Sequence, residues 1–133
     1  MTSRRQFNQS LLSLSALAAL NPLDALAQNA AVDAVKIFYG FPADSAGDGV
    51  ARRVGERLGA TAYSKNAGVV ENKTGAGGRI ALEALKAAPA DGSALALSPF
   101  SQLAIFPHIY ARLGYDPMKD FVPVSIGAIM HHG

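Results

Sequence analysis

Val69-Val70-Glu71-Asn72-Lys73-Thr74-Gly75-Ala76-Gly77-Gly78 is the stretch on which the fold turns. Its β-branched start, preceded by Gly68, predicts a short strand over residues 68–72. The glycines that follow predict a tight loop, after which Ile80, Ala81, Ala84, Leu85 and Ala88 recur at helical spacing up to Pro89. Proline disfavours helical geometry in the residue before it, so this helix should stop by Ala88. Strand, glycine loop and helix together form the repeating half-unit of a parallel α/β sheet. The same setting houses nucleotide-binding motifs, and both fail here. No Lys-Ser/Thr pair follows the glycines as a P-loop requires, and Arg79-Ile80-Ala81 stands where the dinucleotide fingerprint needs its third glycine. The glycines therefore make either a cradle for an anion or simply a tight strand-to-helix turn.

The same unit recurs on both sides. Upstream, residues 35–39 read as a buried strand ended by Gly40, and residues 40–47 as a loop. Asp48 is the predicted N-cap of a helix whose apolar stripe is Val50, Ala51, Val54 and Leu58, with Arg52, Arg53, Glu56 and Arg57 on a solvated face. Gly55 inside this helix costs about 1 kcal/mol relative to alanine, and Gly59 should end it. Downstream, Asp91-Gly92 signals a turn and residues 94–98 a third strand. Residues 101–110 can form only a helix interrupted by Pro107. Residues 115–121 read as a polar loop, and residues 122–129 have strand composition. Alternating β and α segments predict a parallel sheet with helices on both faces, a three-layer α/β arrangement.

Ahead of these units stands a different kind of segment. Arg4 and Arg5 precede a near-apolar run over residues 11–20, followed by Asn21, Pro22 and Ala25-Leu26-Ala27. This is the pattern of a signal peptide with a cleavage site after Ala27, and Ser3-Arg4-Arg5-Gln6-Phe7 resembles the start of the twin-arginine consensus, with Sec export as the alternative route. Residues 1–27 are thus expected to be an export signal and the mature protein periplasmic. The run is far too short to span a bilayer, which takes roughly 20 apolar residues. The 133 residues carry 12 Lys and Arg against 10 Asp and Glu, a balance too even for a nucleic-acid-binding surface. With no cysteine, thiol nucleophiles and Cys-ligated metal sites are excluded.

Ligands of open α/β sheets sit beyond the carboxyl ends of the strands, where residues 40–47, 73–78 and 98–102 converge. Each loop leads into a helix N-terminus, whose free N–H groups and dipole favour a carboxylate or phosphate by about 0.3 to 1 kcal/mol, up to about 2 when partly buried. Catalytic groupings are weak. Ser45, Ser98 and Ser101 lie in these loops, but none sits in a Gly-x-Ser-x-Gly elbow, so they are read as hydrogen-bonding groups. His108 and the adjacent His131 and His132 are poorly spaced for one metal. No metal, cofactor or catalysis is expected.

Several segments resemble the Bug, or TctC-like, family of periplasmic solute-binding proteins, the receptors of tripartite tricarboxylate transporters. They are Gly40-Phe41-Pro42-Ala43 with Asp48 and Ala51-Arg52; Val70-Glu71-Asn72-Lys73-Thr74-Gly75-Ala76-Gly77-Gly78; Ala90-Asp91-Gly92; and Tyr115-Asp116-Pro117-Met118-Lys119-Asp120-Phe121-Val122-Pro123-Val124-Ser125. The resemblance implies a two-lobed type II periplasmic-binding-protein fold that closes on small carboxylate-bearing solutes and delivers them to membrane subunits. It places Phe41, Pro42, Ala43, Asp44, Ser45 and Asp48 in a first ligand loop. Gly75, Ala76, Gly77 and Gly78 fall in a second, and Ser98, Ser101 and Gln102 in a third. Where the family has two glycines after Pro42-Ala43, this chain has Asp44-Ser45. Either Asp44 points outward or the solute carries a cationic group, as an amino acid does. Family members are about three times as long as the segment after Ala27, so residues 28–121 are expected to be an incomplete, truncated N-terminal lobe and residues 122–133 the start of a crossover to a second. An exported α/β enzyme, and a truncated remnant without function, are the alternative readings.

Overall fold

A computed structural model of the chain describes residues 31–129; the expected signal peptide and His131-His132 lie outside them. Strand β1 (Val32–Tyr39) is followed by helix α1 (Ala46–Leu58), β2 (Ser64–Asn72), a 3-10 turn (Ala76–Gly78) and α2 (Arg79–Ala87). Then come β3 (Ala94–Leu97), the short helices α3 (Phe100–Ala104) and α4 (Phe106–Ile109), and α5 (Pro117–Asp120). The strands form one sheet in the order β2-β1-β3, with both pairings parallel. This is the predicted α/β architecture, consistent with a periplasmic-binding-protein lobe.

The core lies between the sheet and α1. Val35 and Ile37 of β1 are buried against Ala51, with Val54, Leu58, Val70, Leu95 and Leu97 packed around them. Burying each large aliphatic side chain contributes about 1.5 to 3 kcal/mol, so this apolar stripe fixes α1 on its face of the sheet. Gly55 has a packing role. Within the helix, a Cβ there would stand 2.7 Å from the carbonyl oxygen of Gly68, at the point where β2 gains an extra residue relative to β1. Helix and strand backbones touch at this pair. Gly59 follows the same logic: its φ of −65° is ordinary, but a Cβ would meet Ala67 at 2.5 Å.

Several expectations need correction, beginning with the strands: β1 starts at Val32 and β2 at Ser64, ahead of the expected residues 35 and 68. The N-cap of α1 is Ser45, and Asp48 sits buried in the first turn. The buried residues of α2 are Ala81 and Leu82, with Ala84, Leu85 and the C-cap Ala88 half-buried, while Ile80, whose side chain reaches back over Gly75, is 43% exposed. Residues 115–121 contain α5, whose N-cap Asp116 accepts from Met118 N–H at 3.0 Å and whose first residue is Pro117. Residues 122–129 form no strand: Val122, Val124 and Ile126 are 87%, 79% and 78% exposed, with no sheet neighbour among the described residues. Elsewhere the punctuation behaves as read. Ala88 leaves the helix with ψ 160° before Pro89, and Asp91 accepts from Ser93 N–H at 2.9 Å in the turn before β3. The interrupted helix breaks at Ile105, two residues ahead of Pro107.

Candidate functional site

Parallel strands bring the loops after β1, β2 and β3 to one end of the sheet. The first loop is organised by Asp48, which is 1% exposed. One carboxylate oxygen accepts from Arg52 Nε at 2.8 Å and from the Asp44 backbone N–H at 3.1 Å. The other accepts from Asn72 Nδ2 at 2.7 Å, and that same amide nitrogen donates to the Phe41 carbonyl at 3.1 Å. The Asn72 hydrogen bond, then the Arg52 hydrogen bond, hold the Asp48 pKa below its ordinary value. Asp48 is therefore an internal tie between helix, loop and the end of β2. Asp44 is exposed and has a left-handed φ of 62°, the conformation that glycine adopts most readily. Ser45 Oγ donates to the Pro42 carbonyl at 2.8 Å and makes no side-chain bond to the helix. The α1 backbone bonds begin with Gly49 N–H to Ser45 carbonyl at 3.1 Å, so the N–H groups of Ala46, Gly47 and Asp48 have no intrahelical acceptor.

The second loop is a left-handed turn. Gly75, Ala76, Gly77 and Gly78 have φ of 121°, 51°, 65° and 86°, and Gly78 N–H closes the turn on the Gly75 carbonyl at 2.8 Å. Left-handed backbone costs L-residues roughly 1 to 2 kcal/mol each, so glycine at three of these positions leaves only Ala76 strained. This turn also brings the first two loops into contact: a Cβ on Gly40 would stand 2.5 Å from Gly78 Cα, and one on Gly78 would stand 3.1 Å from the Phe41 ring. Arg79 Nε donates to the Ala76 carbonyl at 2.8 Å, and its guanidinium lies 4.0 Å from the Tyr110 ring centroid.

In the third loop, Ser98 Oγ donates to Gln102 Oε1 at 2.7 Å. Gln102 is 2% exposed, and its Nε2 donates to the Gly77 carbonyl at 2.7 Å. Tyr115, also buried, donates from its hydroxyl to the Gln102 carbonyl at 2.7 Å; burial raises its pKa. The structure thus gathers Phe41, Gly77, Gly78, Ser98 and Gln102, while Pro42 and Ala43 are exposed on the outer turn of the first loop and Ser101 is half-buried in α3. His108 is exposed in α4. Sequence reasoning missed Asn72, Arg52 and Tyr115. Arg52 lies four residues after Asp48, the spacing that puts two charges on one helix face; Asn72 and Tyr115 stand in segments that carry the resemblance, but their partners here are distant in sequence.

The N–H groups at the start of α1 are left without an acceptor inside the helix, and the glycine turn lies against Gly40 and Phe41 of the first loop. Two grooves among the described residues lie elsewhere, one between α1 and Gly127-Ala128, the other over Lys36, Phe38, Glu71 and Lys73. The family described as "Tripartite tricarboxylate transporter family receptor" matches residues 50–130, from α1 through all the remaining elements. The chain belongs to this receptor family. A relative is the "UPF0065 protein in tcbD-tcbE intergenic region" of Pseudomonas sp. (strain P51), 31% identical over 93 residues. That alignment covers 68% of this chain and 26% of the relative, so the chain spans about a quarter of the relative's length. No solved structure matches. The family match begins inside α1, so the first loop, with Phe41 and Asp44, stands outside it.

Proposed function

We propose that this chain is the N-terminal solute-binding lobe, or part of one, of a periplasmic receptor that captures a small carboxylate-bearing solute for a tripartite tricarboxylate-type transporter and performs no chemistry on it. Membership of the receptor family, matched over residues 50–130, carries this reading. In it, residues 1–27 are a twin-arginine signal cleaved after Ala27, residues 28–121 form the lobe and residues 122–133 lead toward a second. Membrane subunits of the transporter are the partners. Among the described residues no helix is long and apolar enough to cross a membrane.

The solute carboxylate sits at the N-terminus of α1, against the first loop and the glycine turn. The site residues are Phe41, Pro42, Ala43, Asp44, Ser45 and Asp48, then Gly75, Ala76, Gly77 and Gly78, then Ser98, Ser101 and Gln102. Phe41 and the glycines supply contact surface, while Asp48 and Gln102 act from within. Asp44, exposed on the same loop, favours a solute with a cationic group beside its carboxylate, because a bare dianion is repelled by like charge. A micromolar ligand needs about 8 kcal/mol, more than open helix termini at about 0.3 to 2 kcal/mol each deliver. One wall alone should therefore bind at roughly millimolar strength.

Titrating the 133-residue chain with acetate, succinate, citrate and L-aspartate, followed by amide NMR shifts, tests the reading. Shifts confined to residues 44–48 and 75–78, with L-aspartate ahead of succinate, are expected. Shifts scattered over the surface, or none with any solute, would sink the receptor assignment, and micromolar binding would sink the one-wall account.

A further inference from the structure

Every polar atom of Gln102 is committed to the protein. Its backbone N–H donates to the Pro99 carbonyl at 3.1 Å and its carbonyl accepts from Tyr115. Its side-chain oxygen accepts from Ser98 and its side-chain nitrogen donates to the Gly77 carbonyl. The fit is tight on the far side too, since any Cβ at Gly78 would collide with Gln102 Nε2. The Gly77 carbonyl belongs to a turn in which four successive residues have positive φ, and the one non-glycine among them, Ala76, keeps that conformation only when its surroundings over-determine it. We infer that Gln102 is a positioning residue: it staples the left-handed glycine turn to the third loop, and so fixes the direction in which that turn's peptide groups face. That the stapled surface receives a solute rests on the receptor reading above; the staple itself does not.

The chemistry gives a reversible test. In Gln102→Glu the side chain keeps its length, but a carboxylate now faces the Gly77 carbonyl and repels it. Protonated, the same carboxyl can donate its O–H to the Gly77 carbonyl while its second oxygen accepts from Ser98, restoring the staple. The groups around it are Ser98 in the third loop and Tyr115 beneath; Arg79 and Glu83 of α2, with Tyr110 just after α4, are the charged and titratable neighbours of Tyr115. Burial raises the pKa of such a carboxyl, so recovery should come above the ordinary glutamate range.

The measurement is hydrogen exchange of the Gly78 amide, which closes the turn on the Gly75 carbonyl, with Ile37 and Phe38 of β1 as internal reference. In Gln102→Glu, Gly78 protection should fall by about tenfold at neutral pH, the equivalent of about one hydrogen bond, and return on acidification while β1 stays protected. In Gln102→Met, which has no donor at any pH, the loss should persist on acidification. Unchanged Gly78 protection in both variants overturns the proposal, and so does an equal loss across β1, which would make Gln102 a general stabiliser. The same samples titrated with L-aspartate separate the two readings. Absence of solute-induced shifts in the wild type condemns the receptor site, whereas the pH-reversible protection of Gly78 judges the staple alone.

Discussion

Replacing Gly55 by alanine should destabilise the protein, against the expectation from helix propensity. A glycine-to-alanine change in a helix interior normally stabilises it by roughly 0.5 to 1 kcal/mol. At Gly55 the added methyl would stand 2.7 Å from the Gly68 carbonyl oxygen and 3.2 Å from its carbon. Neither is the end of a flexible side chain. The Gly68 backbone lies in β2, between paired positions of the sheet, and α1 is pinned by the buried Ala51 one turn earlier. Relief requires helix and strand to part by about half an ångström, and overpacking of this kind costs about 1 to 3 kcal/mol. Subtracting the propensity gain leaves a net loss of up to about 2 kcal/mol. The control is in the same helix: a Cβ at Gly49 meets nothing within 4 Å, so Gly49→Ala should gain the propensity term undiminished. The two variants should therefore differ by up to about 3 kcal/mol, on the order of 10 to 20 °C in Tm for a domain of this size. Urea and thermal unfolding followed by circular dichroism read the difference directly. A Gly55→Ala protein as stable as Gly49→Ala would refute the close helix-strand contact and with it the packing of α1 on the sheet.

Tyr115→Phe removes the hydroxyl that satisfies the buried Gln102 carbonyl and should cost about 1 to 2 kcal/mol in urea unfolding; no change would mean that water or another donor serves that oxygen. Asp48 has a pKa depressed by Asn72 and Arg52, so its network contributes in full above the ordinary carboxylate value of about 4. That contribution is lost as pH falls through the lower native value. Unfolding midpoints measured from neutral to acid pH should fall less steeply for Asp48→Asn than for the wild type, and parallel curves would show that Asp48 does not couple the loop to folding.

Much of the fold was legible because it is written in local signals. Glycines after a β-branched run, Pro89 after an apolar stripe, Asp91-Gly92 and Pro107 each act within a few residues of themselves, and each does in the structure what its chemistry predicts. The expectations that failed depend on partners. The polar first half of β2, Ser64-Lys65-Asn66, joins the sheet through backbone pairing with β1, an Asn66 side-chain bond to the Asp33 carbonyl and a Lys65–Asp33 ion pair at 2.8 Å, none of which apolar periodicity can reveal. Residues 122–129 fail in the opposite sense. Their composition suits a strand, but strand propensity measures fit to a neighbouring surface rather than an intrinsic backbone preference, and among the described residues no strand pairs with them. Helix α5 was legible in principle: Asp116-Pro117 is an N-cap followed by proline at the first helical position, a recognised helix start.

The loops that form the candidate site were legible, but the roles of their polar side chains were not, and the reason lies in where those polar atoms go. Asp48, Ser98 and Gln102 were singled out as polar groups in ligand loops, yet each spends its hydrogen-bonding capacity on backbone or on another side chain of the same cluster. A buried polar group must be paired, so a loop made rigid by buried side chains leaves few of them over for a solute. What it presents instead are peptide N–H groups at a helix start and a glycine turn held in a left-handed form, donors that belong to every sequence and to no residue type. On the function proposed above, specificity falls to the side chains that stay exposed on the loops, and Asp44, in a left-handed conformation on the first of them, is the residue whose replacement by glycine should most change the preference between L-aspartate and succinate in the same amide-shift titration.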